Sequence, residues 1–324
     1  MNRTKFFKPL GYAGLLILVF LAPLFIRQSY SLHIFILIGV NIILACSLRL
    51  IAISGQMSLG HGAMMSIGGY TSALLVMKLG FSSWAGLLLG GLVAYVVALI
   101  IGYPFVRLKG IYFAMITVFF AEVVRLVITE WRSVTGGAMG ILSIPRPNPI
   151  VLPGLLRFDF TSRVHFYYFA LVLVLVTLGM LYAIEHSRVR VILLSVNQAD
   201  SLAESLGINT TRFKVLAFSM GSFFAGIAGA FYAHYLTVLN PASFGFLFSI
   251  YAVIYITVGG TQRFSGPILG ASILTLIPEL MRGLKEYQPL VFAAVLIVTI
   301  FFMPNGLVGL LDLFKKNGKL RGHA

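Results

Sequence analysis

Apolar residues run along this chain in long blocks at 10–26, 32–50, 62–79, 83–106, 110–129, 165–184, 215–236, 247–261, 266–281 and 289–304, with polar residues gathered between them. A helix crossing a bilayer needs about 20 mostly apolar residues, and a helix satisfies its own backbone where no water is present. The pattern predicts an all-α polytopic membrane helix bundle of about ten transmembrane helices. The first block follows Arg3, Lys5 and Lys8, the basic start of a signal peptide. It is longer than a signal core of about 7–15 residues, and Ala22-Pro23-Leu24 makes a poor cleavage site. It reads as an uncleaved span.

Composition agrees: 59% of the 324 residues are hydrophobic and 10% charged, where soluble domains carry about 25% charged residues. The net charge of +15 comes from 24 basic and 9 acidic residues. The bases form no contiguous patch of the kind that nucleic acid requires, so the charge points to membrane lipid. With the N-terminus inside, fifteen of the 24 bases fall on the cytoplasmic side and eight outside, with Arg125 within a span. The positive-inside rule then puts both termini in the cytoplasm. Tyr30, Trp84, Trp131, Tyr167, Tyr168 and Tyr287 fall near predicted outer ends, and Tyr103 and Tyr112 near an inner one, as interfacial belts do. The single Cys46 excludes an intramolecular disulfide, and the six histidines show no metal-ligand spacing. Neither a catalytic constellation nor a phosphate-binding G-x-x-x-x-G-K-[ST] loop occurs, so the chain reads as no enzyme and binds no cofactor itself.

Two connections exceed a few residues. The external loop, about 130–164, holds Pro145, Pro147, Pro149 and Pro153, which forbid a regular helix through it. Within the internal connection, 185–214, Asn197 is suited to cap a short helix in which Ala199, Leu202, Ala203 and Leu206 form one apolar stripe and Gly207 a stop. Such a stripe rests on the bilayer interface and neighbouring helix ends, or it docks into a partner.

Three further patterns lie in or beside the spans. Ser54, Gly55, Gln56, Ser58 and His61 make a polar, glycine-bearing approach to the third block. It is either a broken helix lining a translocation path or gate, or a turn at the inner surface. Glu122 and Arg125, three residues apart, share one helix face and read as a pair that fixes packing or helix depth. Ser222, Ala225, Gly226, Gly229 and Ala233, with Gly86 and Gly90, provide small surfaces for close helix packing within the chain.

Ala203-Glu204-Ser205-Leu206-Gly207-Ile208-Asn209, followed by Arg212-Phe213-Lys214 and Ala217-Phe218, resembles the coupling segment of branched-chain amino-acid ABC transporter permeases of the LivM type. Ser54-Gly-Gln-Met-Ser58-Leu-Gly-His61 is similar to the family's SGQxSLGH signature. Arg107-Leu-Lys-Gly110 with Tyr112-Phe-Ala114, Thr117, Glu122 and Arg125 resembles its next block. Thr135-Gly-Gly137 with Gly140-Ile141, Gly259-Gly-Thr261 with Gly266-Pro267 and Gly270-Ala271, and Pro304-Asn-Gly306-Leu307 continue the likeness to about residue 310. Gln262, Ile111, Asn197 and Leu202 depart from its usual residues.

The resemblance implies a single transmembrane permease domain over 1–324, in the bacterial inner membrane. Its coupling segment is about 187–214, where Asp200, Leu202, Ala203, Glu204, Leu206 and Gly207 would engage an ATPase. Implied partners are a second homologous permease, two ATP-binding subunits that hold ATP and Mg, and an extracytoplasmic substrate-binding protein. The implied cargo is a branched-chain or other hydrophobic amino acid, moved inward by alternating access. Similar permeases carry urea or other small organic solutes. A secondary transporter would need ion-coupling carboxylates near the midplane, for which only Glu122 and Glu279 are available.

Overall fold

The computed structural model describes residues 19–23, 28–152 and 156–281, and beyond them 287, 290, 293–294, 297, 301 and 306–309. The main helices are α1 (Ser29–Ile53), α2 (His61–Leu79), α3 (Ser83–Phe105), α4 (Ile111–Glu130), α6 (Arg163–Glu185), α9 (Thr210–Leu236), α10 (Phe246–Gly259) and α11 (Ser265–Leu280). These match eight of the ten apolar blocks; the blocks at 10–26 and 289–304 lie mostly outside the described residues. Shorter elements are α5 (Arg132–Thr135), α7 (Arg188–Gln198), α8 (Asp200–Ser205) and the 3-10 turns Gly137–Met139 and Pro241–Phe244.

Six helical segments among the described residues are long and apolar enough to cross a membrane: Ser29–Ile53, Ser83–Phe105, Ile111–Glu130, Arg163–Glu185, Thr210–Leu236 and Pro241–Gly259. The chain is an all-α membrane bundle. α2 is long enough at 19 residues, but His61, Ser66, Tyr70 and Ser72 lie buried within it, and it serves as an interior helix. α11, with 16 residues, is shorter. The local signals for these boundaries are explicit. Ser82, Ser162 and Asn209 accept first-turn N–H groups of α3, α6 and α9, and Gly80 closes α2 in the left-handed region.

α9 is the centre of the bundle. Its small residues meet backbone directly: a Cβ on Gly226 would stand 2.6 Å from the Ala94 Cβ and 2.9 Å from the Gly90 carbonyl, and one on Gly229 would stand 1.8 Å from the Met65 carbonyl. A Cβ on Gly68 would overlap Gly226 at 2.2 Å. The Ser222–Ala233 stripe and the glycines of α3 therefore join helices of the same chain, as their spacing indicates. Phe166, Phe169 and Phe231 fill the wider spaces with edge-on rings, and Cys46 is buried in α1.

The loops sort to two ends. At one, Ile141 pairs with Leu239 through two backbone hydrogen bonds of 3.0 and 2.9 Å, and buried His234 joins Ser72 Oγ at 2.9 Å and the Pro145 carbonyl at 2.7 Å. The proline-rich connection there contains no helix beyond Met139; instead Ile150–Leu152 and Leu156–Phe158 form a small antiparallel hairpin, the one β element among the described residues. The other end gathers the termini of α1, α3, α6 and α10 and the starts of α2, α4, α9 and α11. Its hydrogen bonds from Gln56 to the Val106 carbonyl and from Arg49 to the Thr261 carbonyl cross between those connections.

Replacing Gly226 by Val forces a branched side chain into backbone at α3, and overpacking of this kind costs about 1–3 kcal/mol or more. Gly179, with nothing within 4 Å of its Cβ position, provides the contrast. Thermal unfolding in detergent is expected to show a clear loss for Gly226→Val and none for Gly179→Ala.

Candidate functional site

The internal connection folds as two helices. α7 starts on Ser187, whose Oγ accepts the Val189 N–H at 3.2 Å, and it buries Leu193 and Val196. The chain breaks at Ala199 (φ −154°, ψ 87°) and resumes as α8. This corrects the expected cap: Asn197 lies in the last turn of α7, and α8 begins after Ala199 with no side-chain cap. The cause is local, because Val189, Leu193 and Val196 recur at i, i+4 and i+7 and carry the first helix through Asn197. Gly207, at φ +82°, ends α8 as expected; the Ile208 N–H bonds the Ala203 carbonyl and the Gly207 N–H the Glu204 carbonyl, at 3.1 and 2.9 Å.

The apolar stripe divides on folding. Ala203 is 3% exposed and packs inward, whereas Leu202 and Leu206 are 61% and 75% exposed. Both acids turn toward the protein. Asp200 Oδ2 accepts from Lys214 Nζ on α9 at 2.8 Å and from Lys109 Nζ, in the α3–α4 connection, at 3.0 Å. Glu204 accepts from the buried Thr210 hydroxyl at 2.6 Å. Partial burial opposes the charge on Asp200, but the hydrogen bonds and charges of Lys214 and Lys109 outweigh it and hold the carboxyl below its ordinary value. α8 is thus pinned to the bundle on its acidic side and presents two leucines on the other.

The Ser54–His61 segment adjoins this element. Gly55, at φ +82°, lies so near α7 that a Cβ would stand 2.7 Å from Asn197 Oδ1. A cavity of about 150 Å³ lies between the two, bounded by Ser54, Gln56, Lys109, Asn197, Asp200 and Lys214. The polar side chains of the segment point into the protein. Ser54 Oγ donates to the Ile51 carbonyl at 2.7 Å, Gln56 Nε2 to the Val106 carbonyl at 3.1 Å, and Ser58 Oγ accepts the Gly60 N–H at 3.3 Å. His61 Nε2 meets Ser47 Oγ at 2.8 Å. The Leu59 N–H reaches Thr117 Oγ1 at 3.0 Å and the Gly62 N–H reaches Ser249 Oγ at 2.9 Å, so α4 and α10 satisfy this irregular backbone. Gln56 Oε1 and His61 Nδ1 remain buried without a partner.

Glu122 and Arg125 meet as a fork, with Arg125 Nε 2.9 Å from Glu122 Oε2 and Nη2 2.5 Å from Oε1. Their side chains are 47% and 31% exposed, on the open face of α4 rather than in a helix–helix contact.

Periodicity did not single out Arg49. This guanidinium is buried at the end of α1, paired with the buried Glu185 at the end of α6, and its Nε donates to the Thr261 carbonyl at 2.9 Å. Counted among loop bases, it instead clamps α1, α6 and the α10–α11 turn. A charge inside an apolar run is the signal that flags it. Arg190 Nε, on α7, is buried without a partner.

Residues 30–303 match the family of the branched-chain amino acid transport system / permease component. The chain belongs to this family. The high-affinity branched-chain amino acid transport system permease protein LivM of Salmonella typhimurium is 30% identical to this permease over 319 residues, 92% of this chain and 73% of that one. LivM of Escherichia coli is 30% identical over 332 residues, 95% of this chain and 77% of that one. LivH of Escherichia coli, named as a permease protein of the same kind of system, is 33% identical over 110 residues, 33% of this chain and 35% of that one. This chain is accordingly a multi-pass membrane permease subunit of an ABC importer, not an enzyme.

Removing one partner of a buried ion pair costs about 3–5 kcal/mol, whereas replacing both by apolar residues is often close to neutral. Glu185→Ala is therefore expected to destabilise this permease in detergent melts far more than the double change Arg49→Met with Glu185→Leu. For Asp200, a folded pKa below the ordinary value means that its contribution is complete above that value, about 3.9, and disappears as pH falls through the lower folded one. Limited proteolysis across 199–207 should be constant from neutral pH down to the ordinary carboxylate range and rise only below it, while Asp200→Asn should raise it at neutral pH and remove its pH dependence in the acid range.

Proposed function

We propose that this permease is one of two membrane subunits of an importer in the bacterial inner membrane that moves branched-chain or other hydrophobic amino acids inward by alternating access. On this reading it has ten spans with both termini cytoplasmic and pairs with a second, homologous permease. Two ATP-binding subunits hold ATP and Mg, and an extracytoplasmic binding protein delivers the solute. The substrate class rests on the likeness to the LivM proteins over nearly the whole chain.

The observation that carries the coupling role is the presentation of Leu202 and Leu206 on a capped helix whose Asp200 and Glu204 are bonded back to the bundle. An exposed aliphatic pair on a short, pinned helix suits a hydrophobic groove on a motor subunit. A push or pull on it passes to α9 through Lys214, to the α3–α4 connection through Lys109, and to the Ser54–His61 gate through Asn197 against Gly55. Ala203 supports the helix from beneath, and Gly207 ends it. No chemistry is performed on the solute; the work is conformational.

Leu206→Asp is expected to abolish co-purification of the ATP-binding subunits while the permease still inserts in the membrane, because the exposed leucine supports no fold of its own. Normal ATPase stoichiometry with that variant would overturn the coupling role. ATP-independent accumulation of leucine by the permease alone, on an ion gradient, would overturn the importer reading.

A further inference from the structure

α4 is the least covered of the six long apolar helices, with 22% of its span buried against 78% for α9. Its open face carries Met115, Phe119, Val123 and Leu126, and amid these the Glu122–Arg125 pair. Glu122 stands eight residues before the end of this 20-residue helix, about 12 Å along the axis, and so within the thickness of the hydrocarbon. Half-exposed charges at that depth do not face lipid tails; they face protein or a water-filled path.

The surroundings indicate which. The pair opens on a cleft of about 300 Å³, whose other wall is the turn into α10 and the start of that helix, with Ser243, Gly245, Phe246, Phe248 and Tyr251. The wall is aromatic, and the first turn of α10 follows Gly245, which offers it no side-chain cap. Glu122 and Arg125 hydrogen-bond to each other, so the cleft at rest holds a carboxylate and a guanidinium that neutralise one another.

We propose that this cleft is a transient site for a zwitterion on the translocation path: the ammonium group of an α-amino acid meets Glu122, its carboxylate meets Arg125, and its apolar side chain lies along Phe246, Phe248 and Tyr251. A zwitterion opens the fork and replaces each charge's partner with no change in net charge. A solute with one charge leaves a protein charge unpaired at membrane depth, and an uncharged solute offers neither. The site thereby sets the class of solute that passes after release from the binding protein. It rests on the amino-acid importer reading above and adds where the two charges of the amino acid are met.

The test uses the whole complex, both permeases with their ATP-binding subunits, in proteoliposomes supplied with binding protein and leucine. The double variant Glu122→Gln with Arg125→Gln leaves no unpaired charge, so a pair that only fixes packing tolerates it. The proposal expects the complex to co-purify in full while leucine uptake falls by about tenfold or more, the scale of losing hydrogen bonds to charged groups. Uptake equal to wild type overturns the proposal and leaves the importer reading intact. Loss of co-purification also overturns it, since the pair then belongs to the contact with the second permease. A second variant, Ser243→Cys at the edge of the cleft, reports occupancy directly: leucine is expected to slow its modification by a charged thiol reagent during turnover, isocaproate is not, and equal rates with both contradict the zwitterion site. Failure of the wild-type complex to import leucine at all would instead count against the amino-acid reading.

Discussion

Backbone-to-backbone approach along α9 is the constraint on which the other features depend. Lipid tails are as apolar as leucine, so helices in a membrane gain little by hiding apolar side chains from it; they associate by fitting closely and by polar contacts. Gly226 and Gly229 bring α9 against Gly90, Gly91 and Met65 at distances that leave no room for a Cβ. That closeness fixes α2 and α3 on one helix and places the two ends of α9 at the two functional ends of the bundle. At one end Lys214 holds the short helix α8, and at the other His234 and Leu239 hold the glycine-rich connection.

The polar groups at the end that carries α7 and α8 share one design. Each ties a connection to a helix of different sequence neighbourhood: Asp200 to Lys109 and Lys214, Arg49 to Glu185 and the Thr261 carbonyl, His61 to Ser47. A buried ion pair such as Arg49–Glu185 contributes less to net stability than to uniqueness of arrangement, because desolvation of both charges offsets much of their attraction. The gain is that α1, α6 and the α10–α11 turn move together.

Much of this was legible along the chain. Block length and loop charge indicated a helical membrane bundle, and six motif stretches indicated the permease family to which the chain belongs. Small residues at four-residue spacing marked α9 as a packing helix. What the sequence withheld depends on contacts far along the chain. Arg49 finds its acid 136 residues away, and no local period reports that. Nor does periodicity divide Ala203 from Leu202 and Leu206, since the stripe has one angle on a helix and only docking beneath α9 decides which members are covered. The i, i+3 spacing of Glu122 and Arg125 showed that they pair; it did not show that the pair stands on the least covered face of the bundle.

Gly55 has no side chain to place between the break after α1 and the last turn of α7, where a Cβ would stand 2.7 Å from Asn197 Oδ1. The Asn197 side chain alone then stands between the Ser54–His61 segment and this point of α7. A larger residue at position 55 would press on that side chain and hold the two parts further apart. The separation of the two connections is set by the smallness of one amino acid.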